Sequence, residues 1–266
     1  MRELRRTFAI SHLPFSYELT GNFIQPFVIE KDGVTGDNIS DQPAFSEARG
    51  HYWLWRNMPF AADEFVSIAQ YRRSFWFPQL VPKTHRFHEV SAYFNEDAFK
   101  ATLETTRQDY LEYINIIEHA DRTPLNEWLR GADLVVNRSV GFTVPMFKLY
   151  ANNHRKHDWD IFAQVLRKNG YNDGRFSWLT THTVYIFTPT LFAEYMNDWW
   201  KVMAEVRDLV DVDRDPYQSR KLGFMTEWFM SMWLLKRRLD HPTIRVQTLP
   251  VLEGRFENDR LAPGVM

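Results

Sequence analysis

Short apolar runs alternate with longer amphipathic segments along the chain. The apolar runs predict β-strands at residues 6–11, 23–30, 65–71, 90–94, 134–137, 183–188 and 243–249. Apolar residues at three- and four-residue steps predict helices at residues 41–58, 97–119, 124–131, 145–153, 158–168, 191–210 and 222–239. Strands that alternate with helices favour an α/β fold. Because no repeat or linker interrupts this order, we expect one domain over residues 1–252 and a loosely held polar tail over 253–266.

The predicted strand at residues 65–71 ends on Tyr71-Arg72-Arg73. Two guanidinium groups at the end of a buried strand are costly unless anions meet them. In an open α/β sheet, ligands bind at the carboxyl ends of the strands. The pattern therefore predicts an anion site for a phosphate-bearing substrate. Solvated surface arginines are the alternative, and one arginine could pair with a structural carboxylate because successive strand residues point to opposite faces.

The loop Gly36-Asp37-Asn38-Ile39-Ser40 directly precedes a predicted helix. Backbone N–H groups at a helix start attract phosphate, and Asp or Asn can bind a sugar hydroxyl. An ordinary turn with a helix cap is the alternative, since these are standard turn residues.

The last long helix begins with Gly223–Trp228, GFMTEW, which carries Glu227 in its early turns. Glu227 could be the general base for an acceptor hydroxyl, or it could simply be favoured there by the helix dipole. Arg220 and Lys221 directly precede this helix and could meet a phosphate.

His154, His157 and Asp158 have a spacing that puts them on one face of a continuous helix. Such a set could bind a metal or form an acid–base pair, although a local hydrogen-bonded pair is the simpler interpretation. Carboxylate pairs with the spacing of Mg²⁺ or Mn²⁺ sites occur at Asp158/Asp160, Asp211/Asp213 and Asp213/Asp215. Because these pairs do not follow predicted strands, we assign no metal ligand and leave a Mg²⁺ or Mn²⁺ requirement open.

Composition excludes several classes of protein. The net charge of −2 gives no global field for nucleic acid, and the absence of cysteine excludes disulfides and thiolate metal sites. No stretch approaches eighteen apolar residues, and the basic N-terminus lacks the apolar core of a signal peptide. We therefore expect a cytoplasmic protein. Aromatic residues make up 16% of the chain, and an aromatic-rich surface leaves peripheral association with the inner face of the membrane open.

The motifs together resemble a bacterial family that carries a domain of unknown function and occurs in capsular-polysaccharide and lipopolysaccharide loci. The matching segments are Ser11-His12, GDNIS at 36–40, SEARGHYWLWRN at 46–57, VSIAQYRRSF at 66–75, LYANNHRKHD at 149–158, VYIFT at 184–188 and RKLGFMTE at 220–227. The chain departs from the family pattern at Gln70, where the family has His, at Leu13, where Lys is common, and at Tyr185-Ile186-Phe187, where it has Asn-Met-Phe.

The resemblance implies a single-domain GT-A-like (Rossmann-like) α/β fold, with a mixed sheet flanked by helices. It also implies transfer of a sugar from a nucleotide-sugar, first of all a UDP-sugar, to a glycan or lipid-linked acceptor in capsule or O-antigen synthesis. On this basis we assign the donor to His12, Gly36, Asp37, Asn38, Ser40, Tyr71 and Arg220. We assign catalysis to Arg72, Arg73, Asp158 and Glu227, and the acceptor to His154 and Trp228. The arginines would then replace a metal in neutralising the leaving diphosphate.

Two other functions stay open at this point. Gln70 and the missing carboxylate pair at a strand end favour a non-catalytic protein that binds nucleotide-sugars or glycans on a degenerate transferase fold. A metal-dependent hydrolase would instead use His154, His157 and Asp158.

Overall fold

The computed structural model describes residues 2–12, 14–19, 21–87, 101–180, 182–211, 215 and 217–256. Its strands are β1 Thr7–Ser11, β2 Ile24–Val28, β3 Val66–Gln70, β4 Arg73–Phe75, β5 Thr102–Thr106, β6 Leu134–Asn137, β7 Ser139–Gly141, β8 Trp178–Thr180, β9 Tyr185–Phe187, β10 Val246–Leu249 and β11 Val251–Arg255. Its α-helices are α1 Ile29–Asp32, α2 Ala48–Asn57, α3 Arg107–His119, α4 Thr123–Leu129, α5 Met146–Asn153, α6 Lys156–Lys168, α7 Pro189–Leu209 and α8 Lys221–Asp240. The predicted strand at 90–94 and the first residues of the helix predicted at 97–119 lie outside the described residues.

Nine strands form one mixed sheet. Its main part has the order β2-β1-β3-β9-β6-β10, in which β9 is antiparallel to both of its neighbours. From the end of β3 the sheet continues through the pair Gln70–Arg73 into β4, β11 and β5. The strands β1, β2, β3, β6, β10, β11 and β5 therefore all point the same way, and their carboxyl ends form one edge. The predicted α/β fold with a mixed sheet is confirmed.

The sheet is covered by helices on both faces. In β9, Tyr185 and Phe187 belong to one hydrophobic cluster, together with residues of α6, α7 and α8. Ile186 belongs to the other cluster, which contains residues of α3 and α4. This alternation follows from the strand geometry, since successive side chains point to opposite faces. Both faces are apolar, which explains why the strands read as short continuous apolar runs.

The prediction of a helix at 97–119 is wrong for residues 102–106. Thr102–Thr106 form β5, which pairs with β11, and the helix begins at Arg107. The run of threonines explains the difference, because β-branched residues favour a strand. Thr106 then caps α3 by accepting a hydrogen bond from the backbone N–H of Asp109.

Two other predicted boundaries also differ from the structure. The helix predicted at 41–58 is divided into a short 3₁₀ turn, Pro43–Phe45, and α2, because Ser46 between them has a left-handed φ of 53°. Of the tail predicted at 253–266, residues 253–255 belong to β11, which pairs with β4 and β5, and residues 257–266 lie outside the described residues. Among the described residues, no helix is both long and apolar enough to cross a membrane.

A buried carboxylate attaches α3 to the start of β2, and this contact gives a stability prediction. Glu118 is 5% exposed, and its two oxygens accept the backbone N–H groups of Phe23 at 2.9 Å and Ile24 at 2.7 Å. Glu118→Gln replaces one acceptor by an NH₂ group that faces another donor. We expect the free energy of unfolding, measured by urea denaturation, to fall by about 1–3 kcal/mol.

Glu112 on the same helix is the matched control, since its ion pair with Arg86 lies at the surface. Glu112→Gln should change the unfolding free energy by less than about 1 kcal/mol. Equal effects of the two substitutions would contradict a structural role for the buried carboxylate.

Candidate active site

The carboxyl edge of the sheet carries two groups of polar side chains. His12 follows β1 directly, and Tyr71 follows β3. Because β9 runs antiparallel to β3, His182, three residues before β9, lies at the same edge. The helix α8 contributes Glu227, whose Oε1 accepts the backbone N–H of His182 at 2.6 Å. The topology thus brings together residues that are far apart in the sequence.

The first group, the His12 cluster, contains His12, Glu30, Ser46, Glu47, Arg49 and Arg220. The Nε2 atom of His12 lies 3.1 Å from Ser46 Oγ and 3.5 Å from Glu47 Oε1. Arg220 donates to Ser46 Oγ at 3.0 Å. Burial alone would raise the pKa of Glu47, but the hydrogen bond from His12 and the positive charge of Arg220 hold that pKa well below its usual range. Glu47 is therefore an anion that positions His12 and Arg220, two residues predicted to bind the nucleotide-sugar.

Arg49 connects the members of this cluster on its buried side. Its side chain is only 4% exposed, and Nη2 lies 2.9 Å from His12 Nδ1 and 2.8 Å from Glu30 Oε1. Nη1 donates to the Ser40 carbonyl at 2.8 Å. Because a guanidinium group can only donate, this contact makes His12 Nδ1 an acceptor and directs the Nε2 proton toward Ser46 and Glu47.

The predicted donor loop, residues 36–40, is tied to α2 through Asp37. The carboxylate of Asp37 accepts from Tyr52 at 3.0 Å and from Arg56 at 2.6 Å. The side chain of Asn57 bonds both the N–H and the carbonyl of Asp37. Within the loop, Asn38 Oδ1 accepts from the N–H and the hydroxyl of Ser40. These side chains hold the shape of the loop, and their role in donor binding stays a prediction.

The second group, the Arg73–Glu227 cluster, contains Gln70, Arg72, Arg73, His182, Glu227 and Glu253. Gln70 donates to Thr183 Oγ1 at 2.7 Å and accepts from Arg73 Nη1 at 2.7 Å. Arg73 Nη2 lies 2.9 Å from Glu253 Oε1, whereas Arg72 Nε lies 3.6 Å from the same oxygen. The two arginines therefore share one carboxylate. The glutamine that departs from the family pattern positions Arg73 in this arrangement.

Glu227 combines partial exposure with a raised pKa within this cluster. Its side chain is 27% exposed, so it can meet a ligand. Burial raises its pKa, and the charges of Glu47 and Glu253 raise it further, while the N–H of His182 and the charge of Arg73 oppose this shift. Burial and the nearby Arg73 and Arg72 lower the pKa of His182 to about 3, so this imidazole is neutral at pH 7.

Sequence reasoning did not identify Glu47, Arg49 and His182 as site residues. Glu47 and Arg49 were visible as charges inside the helix motif at 46–57, whose remaining residues predict a buried face. His182 has a left-handed φ of 66°, and only the pairing of β9 with β3 shows that it lies at the site.

Asp158, predicted to be catalytic, lies in the interior. Its Oδ2 is 2.9 Å from Lys221 Nζ, and both side chains are 3% exposed. This burial contradicts direct contact with a substrate, and the ion pair instead attaches α6 to the first turn of α8. Trp228 is also buried, with edge contacts to Tyr150 and Trp159, so its indole offers no free face to an acceptor.

His154, His157 and Asp158 do not lie on one continuous helix. The helix α5 ends at Asn153 and α6 begins at Lys156, so the predicted shared face is interrupted. Asp160 is in a surface ion pair with Lys156, and Asp213 lies outside the described residues. Among the described residues, no three His, Asp or Glu side chains converge as metal ligands would.

Gly36 allows a prediction about the donor loop. It has a φ of 67°, and a Cβ there would collide with the side-chain oxygen of Asn57, which binds the N–H of Asp37. We expect Gly36→Ala to lower the unfolding free energy by more than the roughly 1–2 kcal/mol of the left-handed backbone alone, as measured by calorimetry. If the loop holds the nucleotide as predicted, the same variant should also weaken UDP binding.

Gly170→Ala is the matched control. Gly170 has a φ of 77°, but a Cβ there would meet nothing within 4 Å. This variant should pay only the backbone cost and bind UDP normally. If Gly36→Ala behaves like Gly170→Ala in both measurements, the contact with Asn57 does not shape the loop.

Comparisons with known proteins agree with this architecture. A solved structure titled as the apo form of the bifunctional glycosyltransferase WbbM superposes with a TM-score of 0.74 at 16% sequence identity, over 94% of this chain and 45% of that chain. The present chain thus spans less than half of that protein, and the likeness establishes a glycosyltransferase type of fold. No curated protein matches the chain. Residues 22–238 match the domain of unknown function DUF4422, and the chain belongs to this family.

Proposed function

We propose that this protein is a glycosyltransferase that moves a sugar from a nucleotide-sugar, first of all a UDP-sugar, to a glycan or lipid-linked acceptor in capsule or O-antigen synthesis. One observation carries the proposal. A partly exposed carboxylate, Glu227, accepts the N–H of His182 and feels the charge of Arg73 at the carboxyl edge of the sheet, where ligands bind in open α/β folds. A base next to a cationic pair matches the two charges that sugar transfer creates.

The reaction breaks the bond between the anomeric carbon and the diphosphate, whose oxygen takes the electron pair. The acceptor hydroxyl forms the new bond to the anomeric carbon and loses its proton. Glu227 accepts this proton, because its raised pKa suits a base that works near neutral pH. A negative charge therefore develops on the diphosphate, and it needs stabilisation within the site.

Arg72 and Arg73 provide this stabilisation in the proposed mechanism. Without a ligand their common anion is Glu253, and the side chain of Arg72 is 33% exposed and 3.6 Å from that carboxylate. A diphosphate can therefore recruit Arg72 without breaking a tight ion pair. Arg73 is held by both Gln70 and Glu253 and offers a preorganised cation.

The His12 cluster and the donor loop would hold the nucleotide. Arg220 and His12 lie at the same edge as the arginine pair, and Arg49 connects them to the Ser40 carbonyl of the loop. A nucleotide bound there would direct its diphosphate toward β3. A divalent cation has no assigned ligand in this proposal, so its effect is left to the assay.

The test is to incubate the protein with UDP-, GDP- and CDP-sugars, with and without EDTA, and to measure nucleotide release. We expect release from at least one donor, most strongly from a UDP-sugar. Binding of a nucleotide-sugar without release would support a non-catalytic binding protein. Neither binding nor release would contradict both functions.

Glu227→Gln should remove the base while it preserves the shape of the side chain. We expect kcat to fall by about 10²–10⁴-fold with little change in the donor KM. The wild-type rate should fall as the pH drops through a pKa that lies above the ordinary carboxyl value of 4.5, since only the ionised form accepts a proton. This fall of the rate at low pH, the acidic limb of the pH–rate profile, should be absent in the variant.

Glu205→Gln, which changes a surface carboxylate paired with Lys168, is the matched control and should retain the wild-type rate and pH profile. If Glu227→Gln keeps the acidic limb, another group is the base.

Arg72→Ala and Arg73→Ala should each lower kcat by about 10²–10³-fold, because each removes a cation from the developing charge of the diphosphate. Arg73→Lys should recover only part of this loss, since an ammonium group lacks the planar fork of guanidinium. Steady-state kinetics of nucleotide release would measure both effects, and circular dichroism would check the fold.

Arg255→Ala is the control for the loss of an arginine on the same sheet, because Arg255 forms an exposed ion pair with Glu104. Near-normal turnover of both Arg72→Ala and Arg73→Ala would refute the role of the pair.

A further inference from the structure

One side of α8 is directed toward the site. Arg220 at the helix start and Gly223, Phe224 and Glu227 recur at three- and four-residue steps, so they lie on one side. This stripe is partly or fully accessible, whereas the neighbouring residues of the first turns are buried, namely Leu222, Met225, Thr226 and Trp228. A Cβ on Gly223 would lie 2.7 Å from Ser46 Cβ, which shows how closely this side approaches the His12 cluster.

Phe224 is the centre of an aromatic platform formed by His154, Tyr217 and Phe224. The rings of His154 and Tyr217 stack at 5.4 Å with an interplanar angle of 8°. The ring of Phe224 lies 4.5 Å from His154 and 4.9 Å from Tyr217, measured between centroids. Tyr217 is 41% exposed and Phe224 is partly exposed. The three rings are therefore ordered by their mutual contacts, and Tyr217 and Phe224 keep part of their surface accessible.

The platform is adjacent to a residue of the His12 cluster and is carried by the same helix as Glu227. The guanidinium carbon of Arg220 is 5.8 Å from the centre of the Phe224 ring. In the other direction, Glu227 follows Phe224 by three residues, a rise of about 4.5 Å along the helix. A molecule that rests on Phe224 thus has a cationic donor on one side and the proposed base on the other.

This combination fits the chemistry of a sugar ring. One face of a pyranose presents C–H groups, which pack on aromatic rings, and its edge presents hydroxyl groups that donate and accept hydrogen bonds. Arg220 can donate to one hydroxyl, and Glu227 can accept from another. A nucleobase could also stack on the platform, but it would bring no hydroxyl to Glu227.

We propose that the His154–Tyr217–Phe224 platform is the acceptor subsite and binds a pyranose ring of a glycan acceptor with one hydroxyl directed toward Glu227. This inference rests on the proposed function, because it takes Glu227 as the base. His154 stays an acceptor residue, and Phe224 and Tyr217 replace the buried Trp228, which was predicted to contact the acceptor. The subsite selects for a ring with an unhindered C–H face.

Saturation-transfer NMR with UDP present and a panel of methyl hexopyranosides tests the subsite directly. We expect the wild type to transfer saturation to the C–H protons of at least one glycoside. Phe224→Leu keeps an apolar side chain without a ring, and it should weaken binding of that glycoside about five- to tenfold. Phe224→Tyr keeps the ring and should bind within about twofold of the wild type.

Tyr217→Ala is a second variant, in which loss of a ring that is 41% exposed leaves the core intact, and it should also weaken binding. Leu239→Ala is the control on the same helix, since Leu239 is 74% exposed and lies at the opposite end. It should bind the glycoside normally. Absence of glycoside binding in the wild type, or equal binding by the wild type and Phe224→Leu, would overturn the subsite.

Failure of the subsite and failure of the proposed function give different results. If the wild type releases nucleotide from a donor but the platform variants bind the glycoside as the wild type does, the transferase stands and the subsite is wrong. If glycoside binding depends on Phe224 but no donor is ever turned over, the subsite is a glycan-binding site and the transferase is wrong.

Discussion

The buried guanidinium of Arg49 is the contact on which the carboxyl edge of the sheet depends. It joins His12 after β1, Glu30 in α1, the Ser40 carbonyl of the loop and the Ser46 carbonyl before α2. A buried guanidinium without such partners would cost several kcal/mol, so its donors must be satisfied. The four segments therefore have one arrangement in which this charge is compensated. That arrangement places Ser46, which contacts His12, where Arg220 donates to its hydroxyl.

The site has its polar groups in two electrostatic environments. Glu47 is surrounded by cationic and hydrogen-bonding groups and stays ionised, whereas Glu227 has a raised pKa because burial and two other carboxylates oppose its charge. Two carboxylates on one edge thus differ in their readiness to accept a proton. In the proposed reaction, Glu47 is the fixed anion and Glu227 is the base.

Much of the fold could be predicted from the sequence, because both the strand runs and the helical stripes carry strong periodic signals. The arginine pair after β3 and the polar loop at 36–40 could also be found, since unusual charge at a strand end needs no tertiary information. Glu47, Arg49 and His182 could not. Charged residues in a helix motif normally indicate a solvated face. Arg49 is buried only because α2 packs against the His12 cluster, where its guanidinium contacts His12 and Glu30.

The sequence by itself determined the alternation of strands and helices, the placement of Arg72 and Arg73 just beyond the end of β3, and the carboxylate in the early turns of α8. That Arg73 begins a new strand, β4, was decided by the tertiary structure. Tertiary structure decided which of these groups a ligand can reach. Asp158 and Trp228 have the right chemistry, but one is paired with Lys221 inside the core and the other is enclosed by Tyr150 and Trp159. Phe224, one turn before Trp228, is on the open side instead. Spacing along a helix tells which residues share a face, but which face is buried depends on the elements that pack against it.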